Sequence, residues 1–223
     1  MATATAKKKV VSDIVVNQAG DTSPTTLIRL DLKTIVVTLE GTSPLITHPW
    51  SIKAIEMMQA KQAGRAAKGR EIRKPLEEYE EAFYRLYDGS PAFPALSFKA
   101  CAVTACTSLG KEITKVAARQ FFHIALEKDC GDLTRIYYPK DCPPVMRTDM
   151  VRVGMGTADI RYRPEFKQWG VKLRVQYNAR AVSQEQVVNL LNLGGFAVGI
   201  GEHRPERDGD KGRFHVVDKF SWE

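Results

Sequence analysis

The sequence predicts an α+β fold, an antiparallel sheet with helices packed on one face and a basic helical insertion. Three patterns carry this reading. Residues 32–40 place Ile35, Val37 and Leu39 on one side, and residues 171–178 alternate Val171, Leu173, Val175 and Tyr177 with Lys172, Arg174, Gln176 and Asn178. A period of two marks half-buried strands. From Ser97, a stripe of Phe98, Cys101, Ala102, Ala105, Cys106 and Leu109 follows helical spacing. Ser183 and Gln186 stand at capping-box spacing ahead of Val187, Val188, Leu190, Leu191 and Leu193. With insertions set aside the order is β, α, β, β, α, β, the split β-α-β arrangement of ferredoxin-like and RRM-like folds. Helices on one face leave the other face of the sheet free for a ligand.

The elements follow in order. Residues 1–28 lack periodicity and read as a flexible tail. Residues 29–223 read as one domain with insertions at 51–92, a basic finger and a helix, and at 128–168, a hairpin region. After the first strand, Gly41 to Trp50 is a loop with an apolar anchor. Ser51 caps a helix carrying Ile52, Ile55 and Met58. That helix gives way at residues 63–70 to a small, basic run with Gly64 and Gly69. It suits a segment that orders on a phosphate backbone, and equally a plain exposed linker. Pro75 opens the next helix, with Glu77 and Glu78 at its positive end. Leu76, Tyr79, Phe83 and Leu86 line one of its faces. The helix from Ser97 stops at Gly110. Extended segments follow near Phe121–Leu126, Leu133–Tyr138 and Met146–Val153. The helix after Ser183 stops at Gly194 and Gly195, Phe196–Ile200 is a strand, and Phe214–Val217 is the last one.

At 223 residues and 24.9 kDa, the chain is one sizeable domain. With 43% hydrophobic and 26% charged residues, it is no wholly disordered chain. No apolar run reaches the roughly 18 residues of a membrane helix, and the start MATATAKKK has no apolar stretch behind it, so neither a membrane partner nor a secretory signal is expected. Four scattered cysteines, Cys101, Cys106, Cys130 and Cys142, form no C-x-x-C pair and have no histidine at zinc spacing. The expectation is a reducing, cytoplasmic setting with no metal or cofactor.

The net charge of +7 matters less than its placement. From Lys53 to Lys74 there are seven basic residues, Lys53, Lys61, Arg65, Lys68, Arg70, Arg73 and Lys74, against Glu56 and Glu71. From Arg147 to Arg180 there are eight against Asp149, Asp159 and Glu165. Two concentrated patches read as a binding footprint for a polyanion, or as solvated faces that happen to be basic.

Two local motifs add to this. Gly199, Gly201, Gly209 and Gly212 punctuate a loop that also holds His203, Arg204, Arg207 and Arg213. Glycine allows close backbone approach, so amides there can face an anion. The loop is no dinucleotide fingerprint, because Arg204 stands at the third glycine of G-x-G-x-x-G, and no Walker ending is present. An elaborate surface hairpin is the alternative. Arg161, Tyr162, Arg163, Phe166, Lys167 and Trp169 interleave basic and aromatic side chains, as a surface that stacks bases does, although Phe166 and Trp169 suit a core equally. The histidines His48, His123, His203 and His215 are scattered, and Asp208 and Asp210 read as turn residues. No catalytic residues are assigned.

Four segments in order resemble the RAMP superfamily, the RNA-binding proteins of CRISPR systems, and above all the repeated backbone subunits of their effector complexes. Leu39 to Ile46 is similar to that family's first strand and following loop. Phe93 to Lys99 is similar to its helix start, with Lys99 at the family's lysine. Met150 to Ala158 is similar to its Arg-containing central strand and hairpin, and Gly199–Arg204 through Gly212–Phe214 to its terminal glycine-rich loop. Two features depart from the pattern. Ala100 replaces a glycine, and the glycine loop is longer and more charged, which is similar to phage-borne relatives.

The resemblance implies a sequence-independent binder of single-stranded nucleic acid, most of all guide RNA, in adjacent copies of itself and with other effector subunits. It places Lys99, Arg152, Arg161 and Arg163 on phosphates at the sheet side. Lys53 to Lys74 becomes a backbone clamp, and Gly199 to Arg213 docks on the strand or the next copy. Some members of the family cut RNA with an aspartate in the loop after the first strand. Residues 41–87 contain no Asp, so no cleavage is expected by that route. A metal-independent, His-dependent endoribonuclease using His48 or His203, and a phage single-stranded DNA- or RNA-binding recombination or replication factor, are the alternatives.

Overall fold

The computed structural model describes residues 15–16, 25–26, 29–50, 52–64, 72–109, 113–126, 131–153 and 157–223. Its elements, in chain order, are β1 (Val15–Val16), β2 (Thr25–Thr26), β3 (Leu32–Gly41), β4 (Leu45–Ile46), α1 (Ile52–Gln62), α2 (Pro75–Glu81), β5 (Tyr84–Arg85) and β6 (Pro91–Pro94). There follow α3 (Leu96–Ala105), α4 (Lys115–Phe121), β7 (Phe122–Ile124), β8 (Leu133–Arg135), β9 (Val145–Val153), β10 (Thr157–Phe166), β11 (Gly170–Asn178), α5 (Gln184–Ala197) and β12 (Phe214–Val217).

The central sheet has the order β12-β3-β11-β7, every neighbouring pair antiparallel. With α3 between β3 and β7, and α5 between β11 and β12, this is the split β-α-β topology. The alternation explains the layers. Ile35, Val37 and Leu39 lie opposite Val175, Leu173 and Val171, and this face is buried under α3 and α5. Aromatic edges lock the core: Phe98 meets Phe214 at 5.6 Å and Phe214 meets Trp169 at 6.2 Å. The buried Trp169 indole donates to the Ser43 carbonyl at 2.8 Å, so the ring also fixes the loop after β3. A long β9–β10 hairpin, joined by β4 at the base of β10, forms a second sheet, and β5-β6-β8 a third.

Several expectations are corrected. The 1–28 stretch holds the antiparallel β1–β2 ladder, and its remaining residues lie outside those described. The helix α5, capped by Ser183 and Gln186 as read, does not stop at Gly194 and Gly195 but runs through them to Ala197, so Phe196–Ile200 is no strand. Both glycines serve close packing. A Cβ on Gly194 would sit 3.0 Å from the Ala102 backbone nitrogen, and one on Gly195 would sit 2.1 Å from the Phe214 carbonyl oxygen. The helix expected after Ser51 forms as α1, with Ile55 and Met58 exposed. Helix α2 has Pro75 at its start but buries none of its residues. Leu76 is exposed, while Phe83 and Leu86 lie beyond the helix end, and Tyr79 and Phe83 lead by edge contacts of 5.1 and 5.9 Å to Phe166 at the hairpin base.

The outer face of the central sheet is only partly open. Val36, Arg174 and Gln176 are exposed, but the C-terminal residues fold back across the other part. Phe220 is 1% exposed, against Gly170 and between Tyr137 and Trp222, which stacks on it at 4.9 Å. Lys172 lies over the Tyr137 and Phe220 rings and pairs with Glu223 at 3.0 Å, and the Ser221 amide donates to Glu40 at 2.7 Å. Among the described residues no helix is long and apolar enough to cross a membrane.

Packing at Gly195 gives a test. Ala in a helix interior normally stabilises over Gly by up to about 1 kcal/mol. Here Gly195→Ala is expected to destabilise by about 2 kcal/mol through overpacking against β12, read as a lower urea midpoint with unchanged slope.

Candidate nucleic-acid interface

The hairpin has two chemically distinct faces. Register places Arg161 opposite Asp149 and Arg163 opposite Arg147, so these four, with Asp159 and Glu165, share one face. Met146, Met150, Ile160 and Tyr162 share the other, where the first three are exposed. Two loops close on the base of the charged face: residues 47–50, after β4, and the glycine loop, 199–213.

At that junction lies Arg163, 5% exposed. Its Nη1 donates to Asp149 at 3.3 Å, and its Nη2 lies 3.1 Å from His48 Nδ1 and 3.9 Å from Glu202. His48 Nδ1 is 3.6 Å from Glu202, and His203 Nε2 is 3.7 Å from Asp149. Arg147 bridges Asp149 at 2.7 Å and Glu165 at 3.0 Å. Burial raises the Asp149 pKa, but the Arg147 hydrogen bond and charge, followed by His203 and Arg163, outweigh it and hold the carboxyl below its usual range. Glu202 is also lowered, chiefly by the hydrogen bond from His48; burial opposes this and the Arg163 charge adds to it.

The glycine loop is built for this docking. Gly199, Gly201 and Gly212 have φ of 68°, 74° and 65°, and a Cβ on Gly201 would lie 2.5 Å from the Ile46 carbonyl oxygen. His203 is a non-glycine at φ 54°, a conformation that costs energy unless neighbours fix it. The expectation that loop amides face an anion is corrected for the central ones. Ile200 N–H donates to Gly212, Glu202 to Ile46, Gly209 to Arg204, Lys211 to His203 and Gly212 to Pro44.

The remaining predicted residues fall into three groups. Some reach the hairpin. Arg73 ion-pairs with Asp159 and donates to the Ile160 carbonyl, and it lies 3.4 Å from Glu78. Arg161 pairs with the same Asp159 at 2.9 Å, and Arg152 is exposed toward the hairpin's outer end. Thus the two basic segments meet at Asp159. Others serve the fold locally. Arg204 holds Glu206 at 2.8 Å and the Gly201 carbonyl at 3.2 Å, Arg213 donates to the Asp210 carbonyl at 3.3 Å, and Lys74 pairs with Glu77 at 2.8 Å. Lys99, its pKa lowered by burial, donates to the Arg119 carbonyl at 2.9 Å and lies 3.1 Å from His123 Nδ1, tying α3 to the edge strand β7. Lys61 and Arg207 are exposed. The third group, Arg65, Lys68 and Arg70, lies outside the described residues, as does the side chain of Lys53.

Arg163 is the main correction, a buried anchor rather than a surface contact for phosphate. Sequence reasoning missed its partners Asp149 and Glu202 and the bridging Arg147. The available signal was charge at alternate positions, Arg147 and Asp149 on one strand and Arg161, Arg163 and Glu165 on the other. Cys101 and Cys106 are buried, and burial pushes the Cys101 thiol up to about 12, so it behaves as a small hydrophobe. Among the described residues no three His, Cys, Asp or Glu side chains gather as a metal site.

No protein-family model and no curated protein matches the chain. Solved structures similar to it include Cmr6 from Pyrococcus furiosus, 10% identical with a TM-score of 0.43, covering 85% of this chain and 100% of that one. Another is the Type III-B Cmr-beta complex bound to cognate target RNA, 9% identical with a TM-score of 0.41, covering 83% of this chain and 60% of that one.

The lowered carboxyls set a pH dependence. Because the fold favours their ionised forms, their contribution is present above the ordinary carboxyl range, near pH 4, and is lost as pH falls through the lower folded values. Asp149→Asn should be clearly less stable than wild type at neutral pH, and the gap should narrow as pH falls below the ordinary carboxyl range. Urea midpoints across this range check it. A gap that stays constant with pH would show that the charge of Asp149 is not what stabilises.

Proposed function

We propose that this chain is a RAMP-type subunit of a CRISPR-type ribonucleoprotein effector. It binds single-stranded nucleic acid, RNA foremost, without reading sequence along most of its length, in several copies on one strand and beside other effector subunits. The observation that carries this reading is the meeting of two basic segments, more than 80 positions apart in sequence, at Asp159, where Arg73 and Arg161 share one carboxylate. Asp159 and Glu78 offset Arg73 and Arg161 at this junction, so the charge left for a strand is that of the exposed cations around it. Lys61 and Arg207 add exposed cations, and the hairpin face opposite Asp159 offers Met146, Met150, Ile160 and Tyr162 to bases beside the exposed Arg152. Buried Arg163 does not touch the strand but holds the hairpin, the 47–50 loop and the glycine loop in register.

Single-stranded RNA affinity measured against salt tests this. Neutralising about five phosphates per subunit gives a log–log slope near −3.5, so a fourfold rise in salt weakens binding about a hundredfold. Arg152→Glu with Lys61→Glu should flatten that slope by about one to two. A flat wild-type response overturns the proposal. RNA and DNA oligomers of one sequence in competition separate an RNA binder from a single-stranded DNA factor, because the 2′-OH is the discriminating group.

A second reading has a specific observation behind it. His48 and His203, far apart in sequence, both border the Arg163–Asp149–Glu202 cluster. In a metal-independent endoribonuclease one imidazole accepts the 2′-hydroxyl proton while the 2′-oxygen attacks phosphorus. The other imidazole donates a proton as the P–O5′ bond breaks, leaving a 2′,3′-cyclic phosphate and a 5′-hydroxyl. Under the leading proposal, labelled RNA incubated with the protein in EDTA stays intact. Cleavage to cyclic-phosphate ends that is lost in both His48→Ala and His203→Ala would establish the second reading instead.

A further inference from the structure

Beside the histidines, between α3 and the glycine loop, lies a slot of about 410 Å³. One wall is a single helical face, Ser97, Ala100, Cys101 and Thr104, at helical spacing and with no bulky side chain. The other wall includes Gly199 and Gly201, which carry no side chain at all. Buried Phe93, Val198 and Ile200 supply apolar surface. Two of its sides thus carry small side chains or none, which leaves room for a flat heterocycle among polar and apolar groups.

The rim decides which one. It carries two carboxylates, Glu202 and Glu206, against one guanidinium, Arg204, which is already paired with Glu206. His48, also in the lining, and Arg163 lie beside Glu202, so the cations at the rim are already matched by carboxylates, and a neutral group with hydrogen-bond donors suits it better than a phosphate. A carboxylate accepts two parallel bonds from adjacent donors. Of the four RNA bases only guanine presents such a pair, N1–H beside the 2-amino group. Adenine and cytosine set a ring acceptor beside their amino group, and uracil flanks its one N–H with two carbonyls.

We propose that this slot takes one unpaired guanine base, its N1–H and 2-amino group donating to Glu202 and its ring lying between α3 and the glycine loop. The inference rests on the nucleic-acid reading above and adds to it a single base-selective position within an otherwise sequence-tolerant contact. Glu202 is suited to the role because His48 and Arg163 hold its carboxylate ionised and oriented while leaving it half-buried at the rim.

Fluorescence anisotropy on the full chain tests it, with three oligoribonucleotides: all adenosine, the same with one central guanosine, and the same with inosine there, which lacks the 2-amino group. The guanosine strand should bind about tenfold tighter than the all-adenosine strand, with inosine losing most of that gain. Ala100→Trp, which fills the slot from the exposed side of α3, and Glu202→Gln, which removes a charged acceptor, should each bring the ratio close to one. Equal binding of all three strands to the wild-type protein overturns the slot while leaving the backbone contact standing. A ratio that persists in both variants places the selectivity elsewhere and also overturns it. Failure of every strand to bind at low salt overturns the nucleic-acid reading itself.

Discussion

A guanidinium out of water must be matched by carboxylates, and Arg163 shows what that demand can organise. Desolvating the charge is costly, and removing one partner of such a pair leaves the other stranded, at a cost of several kcal/mol. Asp149 meets it from the neighbouring strand, while Glu202 and His48 approach from two separate loops. The hairpin, the loop after β4 and the glycine loop are therefore tied to one side chain. The Arg163 Nε–H is buried without a hydrogen-bond partner among the described residues.

The same junction explains how a protein with a basic excess gathers its cations without flying apart. Acidic residues stand between them: Asp159 between Arg73 and Arg161, Asp149 between Arg147 and Arg163, and Glu206 beside Arg204. Exposed pairs contribute little to stability individually. Their effect here is geometric, setting which cations face inward and which, like Arg152, face solvent.

The sequence showed the sheet more readily than the site, for a physical reason. Alternation in β3 and β11 is a local record of a buried face, so both strands and their inward residues were legible, as was the Ser183 capping box. The end of α5 was not. Gly194 and Gly195 read as a stop because glycine weakens helices, and only the closeness of Ala102 and Phe214, each distant in sequence, reveals them as contact points. Arg163 failed as a surface prediction on the same grounds, since its burial depends on Asp149, 14 residues away across the hairpin, and on Glu202 and His48 from elsewhere. The exposed apolar side of α1 shows the converse, a periodic stripe that meets no core.

The borders of the central sheet limit how copies of this protein can associate. Its outermost strands are β12, of four residues, and β7, of three, and Lys99 reaches across to the latter. Short strands with a cation at the border are poor templates for adding a further strand from outside. Copies of the chain meeting at this sheet would do so through side-chain surfaces rather than a shared backbone ladder, whereas the nine-residue β9, at the border of the hairpin sheet, is a long strand edge.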